Sequence, residues 1–210
     1  MRGDSVRILI TAGPTREHLD PVRYVSNASS GRIGCALAEA ALDAGHQVTL
    51  VLGPCPAEPP DGAETIRVTS AQEMFEAVAA RFDACDVFLA SAAVADYRPV
   101  AKRPEKIKKG EARLTVELER TPDILAEMSS RRRKQILVGF CLETEDLERR
   151  ARRKLEAKGL DLVVANGPEA IAADRQDALL IRQVGPTQRL TGVTKAELAS
   201  AILEAVRTAG

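Results

Sequence analysis

The chain of 210 residues has no tryptophan, two tyrosines and four phenylalanines. It therefore offers few flat rings on which unpaired bases could stack, and a single-strand nucleic acid binder is not expected. It also lacks an excess of either charge. Thirty Lys and Arg balance thirty Asp and Glu, which removes the long-range basic field of a protein that lives on phosphate backbones. Cysteine is sparse: Cys35, Cys55, Cys85 and Cys141 form no C-x-x-C or other metal spacing, and only His18 and His46 could add ligands. Zinc is not expected, and the thiols read as reduced and mostly buried. No apolar run approaches the roughly 18 residues of a membrane span. Met1 to Ser5 carries an early acid, and Ile8 to Ile10 is too brief for a signal-peptide core. The expectation is an untargeted, cytoplasmic protein with no nucleic acid, no membrane contact and no protein-built metal site.

What is present fits a globular fold: 45% of the residues are apolar and 29% charged. The length suits one domain, residues 1–210. Val6 to Thr11 is short and apolar and is closed by Ala12-Gly13-Pro14, as a buried strand ending in a turn would be. After an irregular stretch from Pro14 to Asn27, Ser29-Ser30-Gly31 opens an Ala-rich helix that Gly45 stops, with the serines as caps. Further strands are expected at 47–52, 65–68, 86–91, 136–140, 160–165 and 178–181, and helices at 71–81, 122–130, 145–158 and 195–207. Strands alternating with helices predict an α/β fold, a Rossmann-like, mostly parallel sheet with helices on both faces. Residues 98–113 differ, with seven bases, two acids, two prolines and a glycine. This reads as a loop that is mobile when empty. Leu114 to Glu119 alternates apolar and polar residues as a half-buried flap strand would.

Several residues could carry chemistry. Ser29-x-Gly31-x-x-Gly34 at a helix start could cradle phosphate on backbone N–H groups. It is an imperfect dinucleotide motif, because Ser29 replaces the first glycine and the second strand ends Val51-Leu52-Gly53 without a ribose-binding acid. The glycines equally suit close helix-to-sheet packing. A P-loop is excluded, because no G-x-x-x-x-G-K-[S/T] occurs. Cations for a nucleotide could come from Lys106-Ile107-Lys108-Lys109, or from Lys154 and Lys158, which stand four apart on one helix face. Both clusters could instead be solvated charge. Ala92 to Tyr97 follows a strand's C-terminal end, where open parallel sheets bind ligands, and Asp96 could meet a ribose or magnesium or simply cap its loop.

Thr11-Ala12-Gly13-Pro14-Thr15-Arg16-Glu17, Asp20 to Asn27, Ser29-Ser30-Gly31, Ala92 to Arg98, Pro104-Glu105-Lys106-Ile107-Lys108-Lys109, Val138-Gly139-Phe140 and Glu143-Thr144 occur in this order. In this the chain resembles phosphopantothenoylcysteine synthetase, from Ile8 to about Asn166 and more loosely beyond. The resemblance implies a ligase of coenzyme A biosynthesis. 4′-Phosphopantothenate would attack CTP to give an acyl-cytidylate and pyrophosphate, and L-cysteine would then displace CMP. It implies that Asn27 holds the acyl-cytidylate and that Lys106 neutralises phosphate charge. It places the nucleotide against Ala90, Ser91, Ala92, Asp96, Lys106, Pro122, Asp123, Ile124, Leu125, Phe140, Lys154 and Lys158, with Mg2+ held mainly by the triphosphate.

The resemblance also implies a homodimer, with the 114–119 strand as the flap crossing to the partner. It further implies a flavin-dependent decarboxylase, often fused ahead of the synthetase, as a partner. That half and its catalytic cysteine do not occur here, so the chain is expected to be a free-standing synthetase or one half of a fusion. The chain departs from the family pattern at Cys141-Leu142, at Ala165-Asn166-Gly167, and at Ile171, Arg175 and Gln176, where Phe or Gly and Asn are usual. Two other readings remain: an NAD(P)-dependent reductase on the same fold, and a non-catalytic nucleotide-binding relative.

Overall fold

The apolar stretches become the strands of one eight-stranded sheet. The computed structural model describes residues 5–110, 113–171 and 173–208. β1 (Arg7–Ala12) leads into a short hairpin, β2 (Arg16–His18) and β3 (Tyr24–Ser26). There follow α1 (Arg32–Asp43), β4 (Gln47–Leu52), β5 (Glu64–Arg67), α2 (Ala71–Phe82) and β6 (Val87–Ala90). A second hairpin, β7 (Tyr97–Pro99) and β8 (Leu118–Arg120), precedes α3 (Ile124–Arg131), β9 (Ile136–Leu142), α4 (Leu147–Ala157) and β10 (Leu162–Asn166). A single 3-10 turn, Pro168–Ala170, leads to β11 (Arg175–Arg182), β12 (Gln188–Thr194) and α5 (Lys195–Arg207).

Successive strand residues point to opposite faces, and here each face meets its own helical layer. Ile8, Ile10 and Ala12 of β1 join α1 and α5 in one core, together with Leu162 and Val164 of β10. Leu9 of β1, Phe88 of β6 and Val163 and Ala165 of β10 join α2, α3 and α4 in the other. This explains the nearly continuous apolar strands, since a sheet covered on both faces has no solvent side to make polar. Each large side chain so buried contributes roughly 1.5–3 kcal/mol of transfer free energy before entropy is counted. Among the described residues no helix is long and apolar enough to cross a membrane.

The strand order is β12-β11-β10-β9-β6-β1-β4-β5. From β5 through β10 neighbouring strands run parallel, and β11 and β12 add an antiparallel margin. The chain builds outward from β1 through β4 to β5, then returns to β6 on the other side of β1. That reversal opens a crevice beyond the C-terminal ends of β1 and β6, where doubly wound sheets take their ligands.

Five local expectations change. The irregular 14–27 stretch contains the β2–β3 hairpin, held by Arg16 N–H on Thr69 O at 2.8 Å and by the buried Glu17 carboxylate accepting from Ala71 N–H at 2.8 Å. The cap of α1 is Gly31 at φ +74° rather than a serine, and Ser29 Oγ accepts from Gly31 N–H at 3.4 Å instead of from the first turn. Cys55 packs against Gly31 where a Cβ would stand, so a side chain is excluded there as well as strained. Of the expected flap strand, only Leu118 and Glu119 are in β8, because the alternating residues have no core to face: Leu114 is 58% and Leu118 43% exposed. β12 lies at the sheet edge and was not anticipated. The basic loop, apart from residues 111 and 112 outside the described residues, is tied by Arg103 N–H to Leu19 O at 2.8 Å and by Ile107 to Asp20 and Arg23.

Candidate functional site

A cleft of about 820 Å³ occupies the crevice. Its floor is the strand end Ala90-Ser91-Ala92, which hydrogen bonds hold in place. Ser91 Oγ donates to Thr11 O at 2.6 Å, Ala92 N–H to Thr11 Oγ1 at 3.3 Å and Ala93 N–H to Gly13 O at 2.9 Å. Ala95 N–H donates to the buried Thr15 hydroxyl at 3.0 Å, and Thr121 Oγ1 donates to Ala95 O at 2.6 Å. The 91–96 segment is thus fixed from both sides before any ligand arrives.

Asn27 bridges to this floor, its Nδ2 donating to Ala93 O at 3.2 Å and Val94 O at 2.9 Å. Both amide hydrogens are thereby used, and the acceptor Oδ1 is what the side chain has left for a ligand. Beside it the turn Ser29-Ser30-Gly31 delivers the N-terminus of α1, which has no side-chain cap and no acid in its first turn. Gly34 sits one turn further, where a Cβ would overlap Ala12, so the two readings of these glycines divide by position: Gly31 shapes the turn and Gly34 lets helix and sheet approach.

The opposite wall comes from α3, β9 and α4. Pro122, Asp123, Ile124 and Leu125 start α3, with Asp123 as its N-cap accepting from Ala126 N–H at 3.1 Å. Lys158 donates to both Asp123 carboxylate oxygens at 2.9 and 2.8 Å. Burial would raise the Asp123 carboxyl, but the Lys158 bond and the Ala126 N–H outweigh it and hold the group below its usual range. Lys154 Nζ donates to Phe140 O at 2.5 Å. Burial, and then the neighbouring Lys158 charge, push the Lys154 ammonium below the ordinary lysine range. Two cations this close, one of them poorly hydrated, are arranged to gain from a nearby anion.

Asn27, Ser29, Ser30, Gly31, Ala90, Ser91, Ala92, Asp96, Pro122, Asp123, Ile124, Leu125, Phe140, Lys154 and Lys158, all singled out from the sequence, border this cleft, whereas Gly34 and the loop lysines Lys106, Lys108 and Lys109 do not. Lys106 is exposed on its loop, away from the lining. The loop's anchor is Asp20, 0% exposed, whose carboxylate accepts from Val22 N–H, Arg23 N–H, Arg23 Nη1 and Ile107 N–H at 2.7, 2.8, 2.8 and 3.0 Å. Burial would raise the Asp20 carboxyl, and these donors instead bring it down to about 2. β4 ends at Leu52, and Gly53 beyond it packs on the Pro14 backbone, so no acid stands where a dinucleotide's ribose would be held.

The cleft also includes Thr11, Arg32 and Lys195, which were not anticipated, and Asn166 and Gln176, which lie where the chain departs from the family pattern. One signal for Lys195 was available: a lysine in the first turn of a helix sits at the wrong end of the dipole. Among the described residues no group of three or more His, Cys, Asp or Glu could hold a metal. Cys35, Cys85 and Cys141 are buried and Cys55 partly so, all four as free thiols.

Residues 3–209 match the family model of the DNA/pantothenate metabolism flavoprotein C-terminal domain. The coenzyme A biosynthesis bifunctional protein CoaBC of Bacillus subtilis (strain 168) is 44% identical over 204 residues, 95% of this chain and 50% of that protein. Its counterpart in Vibrio vulnificus (strain YJ016) is 50% identical over 162 residues, 76% of this chain and 40% of that protein. The crystal structure of the C-terminal domain of a CoaBC protein superposes with a TM-score of 0.85 at 40% identity, covering 99% of this chain and 96% of that one. The chain spans about half the length of the Bacillus relative. With its motifs in order, its sheet matched and nearly its whole length covered, the chain belongs to the DNA/pantothenate metabolism flavoprotein C-terminal domain family.

Proposed function

We propose that the chain ligates 4′-phosphopantothenate to L-cysteine in coenzyme A biosynthesis, using CTP. The observation that carries this reading is the convergence of Asn27, the α1 N-terminus and the lysines of α4 on one cleft at the strand reversal. In the first step a carboxylate oxygen of phosphopantothenate bonds to the α-phosphorus of CTP, the bond from that phosphorus to the bridging oxygen breaks, and pyrophosphate leaves. In the second the cysteine amine attacks the acyl carbon, the bond to the cytidylate oxygen breaks, CMP leaves and the amine gives up a proton.

The first step brings a carboxylate up to a polyanion, so fixed positive charge is the main requirement. Lys154 supplies it on one wall, beside Lys158 in its pair with Asp123. The start of α3 and Phe140 flank the base, and the α1 N-terminus receives phosphate oxygens on its backbone N–H groups. Lys106 serves the same step when its loop, anchored at Asp20, closes over the bound triphosphate. Mg2+ accompanying the triphosphate would add neutralising charge, and Asp96 offers it a cleft-side carboxylate of the type hard cations take. In the second step Asn27 presents Oδ1 to the amine N–H, while its tie to Ala93 and Val94 keeps the acyl-cytidylate against a fixed floor. An amide does this without adding a nucleophile that would hydrolyse the anhydride.

The protein acts as a homodimer in this reading. Tyr24 and Val25 of β3 with Val22, and Tyr97, Val100, Leu114 and Leu118 around β7 and β8, are all exposed apolar residues, and β2 packs beside β7. Such a patch is what a partner surface requires. The bifunctional relatives are about twice as long, which supports a flavin-dependent decarboxylase unit as the other partner. The test is pyrophosphate release from CTP in the presence of phosphopantothenate, with CMP release added by cysteine. No release with any combination of these substrates refutes the reading.

A further inference from the structure

One end of the cleft carries two side chains, Lys195 and Gln176, that the mechanism above does not use. Lys195 is the first residue of α5, directly after its N-cap Thr194. A cation there faces the positive end of the helix dipole and is disfavoured locally. Its Nζ reaches away from the helix to donate to Ala170 O at 2.7 Å and Gln176 Oε1 at 2.5 Å. An ammonium carries three donors, so one is left. Gln176 is 4% exposed, and with its Oε1 engaged, its Nε2 has no partner among the described residues. Native proteins pair nearly all such buried groups. The partner this amide lacks is an acceptor, and the side chain borders the cleft.

α1 and α5 pack side by side, and both begin at the cleft. Arg32 opens α1 as Lys195 opens α5, and the first turn of α1 holds neither a side-chain cap nor an acid. Arg32 pairs with Asp174 at 2.9 Å, but that carboxylate is 90% exposed, so water screens the pair. Burial, and then the charge of Arg32, press the Lys195 ammonium below the ordinary lysine range against the smaller pull of Asp174. Two side-chain cations, an unpaired amide and uncapped helix N–H groups share one end of the cleft, and the acid paired with Arg32 there, Asp174, is exposed.

We propose that Lys195 and Gln176, together with the N-terminus of α1, form a subsite for a phosphoryl anion. The inference rests on the ligase reading for the identity of that anion, which is either the terminal phosphates of CTP or the 4′-phosphate of phosphopantothenate. The donors are all on the protein side, as a fully ionised phosphate with acceptor oxygens only requires. Gln176 holds the lysine in place through Oε1, and Lys195 supplies the charge.

The experiment compares wild type, Lys195→Met, Lys195→Arg and Gln176→Leu by calorimetric binding of inorganic tripolyphosphate and of phosphopantothenate, with KM for CTP and phosphopantothenate measured on the same preparations. Loss of one charge-assisted hydrogen bond predicts that Lys195→Met weakens one of these ligands by about 10-fold or more, with most of the loss recovered in Lys195→Arg. Weakened tripolyphosphate and a raised KM for CTP assign the subsite to the nucleotide. Weakened phosphopantothenate and a raised KM for it alone assign the subsite to the other substrate. If neither ligand and neither KM moves in Lys195→Met or in Gln176→Leu, whichever folds as judged by thermal unfolding, the subsite is refuted while turnover keeps the ligase reading. If wild type binds tripolyphosphate through Lys195 yet releases no pyrophosphate from CTP, the ligase reading fails and the subsite stands.

Discussion

The 91–96 floor and the 98–113 loop lie next to one another in sequence and are built in opposite ways. The floor is short and made of small residues, and it is tied to Thr11, Gly13, Thr15 and Thr121 by hydrogen bonds of 2.6 to 3.3 Å. The loop is charged and mostly exposed, and it is held through Arg103 and Ile107, the latter on Asp20. The difference teaches where each step draws its precision. A surface that must hold a reactive anhydride is rigid before binding. A charge needed only while the polyanion is being attacked can sit on an exposed residue beside an anchored point of a loop, as Lys106 does beside Ile107.

The largest effect is expected on the loop side. Lys106→Gln removes charge from the pyrophosphate-releasing step and should slow it by about 100-fold or more, leaving ligation from preformed acyl-cytidylate intact. Single-turnover measurement of pyrophosphate checks this, and equal slowing of both steps would break the contrast. On the floor side, Asn27→Asp replaces two donated hydrogen bonds with a carboxylate facing Ala93 O and Val94 O. Amide formation should fall by about 100-fold while pyrophosphate is still released, so that acyl-cytidylate accumulates or leaks, as quenched-flow chromatography would show.

Asp20→Asn tests the anchor between them. The first step should slow by about 10-fold through misplacement of the loop, with protease cleavage inside 98–113 becoming faster and the second step unchanged. The same anchor predicts a pH response. The Asp20 carboxyl lies near 2 in the folded protein against an ordinary 3.8, so its contribution is complete above the ordinary value and is lost as pH falls through about 2. Protease sensitivity of the loop should therefore rise across that acidic window in wild type and show no such step in Asp20→Asn. The smallest effect is a control. Ser70→Ala removes the cap of α2, Ser70 Oγ accepting from Glu73 N–H at 3.2 Å, and should cost about 1 kcal/mol of stability with neither step altered.

The sheet was legible because its strands are buried on both faces and end in turns, as β1 does at Gly13-Pro14 and β4 at Gly53-Pro54. The cleft was legible because its residues follow strand ends and helix starts, and order along the chain then implies nearness in a doubly wound sheet. β2 and β3 were not, since three-residue strands carry no periodicity and rest on bonds to residues some fifty positions away, at Thr69 and Ala71. The strand expected at 114–119 forms only at its end, in β8, for the converse reason: alternation is a local pattern, and within this chain it meets no buried surface. Lys106 shows the limit of chain order, since an anchored loop can leave its key side chain outside the cleft. Gln176 and Lys195 reach the cleft only because β11 and α5 close the antiparallel margin back onto α1, a tertiary relation without a local signature.

The central claim is that this cleft activates a carboxylate with CTP and then transfers it to an amine. Pyrophosphate release from CTP, measured with phosphopantothenate and with or without cysteine, tests it most directly. The account predicts release that depends on phosphopantothenate, occurs in a burst without cysteine and becomes continuous, with stoichiometric CMP, when cysteine is added. Release without phosphopantothenate, or none with all three substrates present, would contradict it.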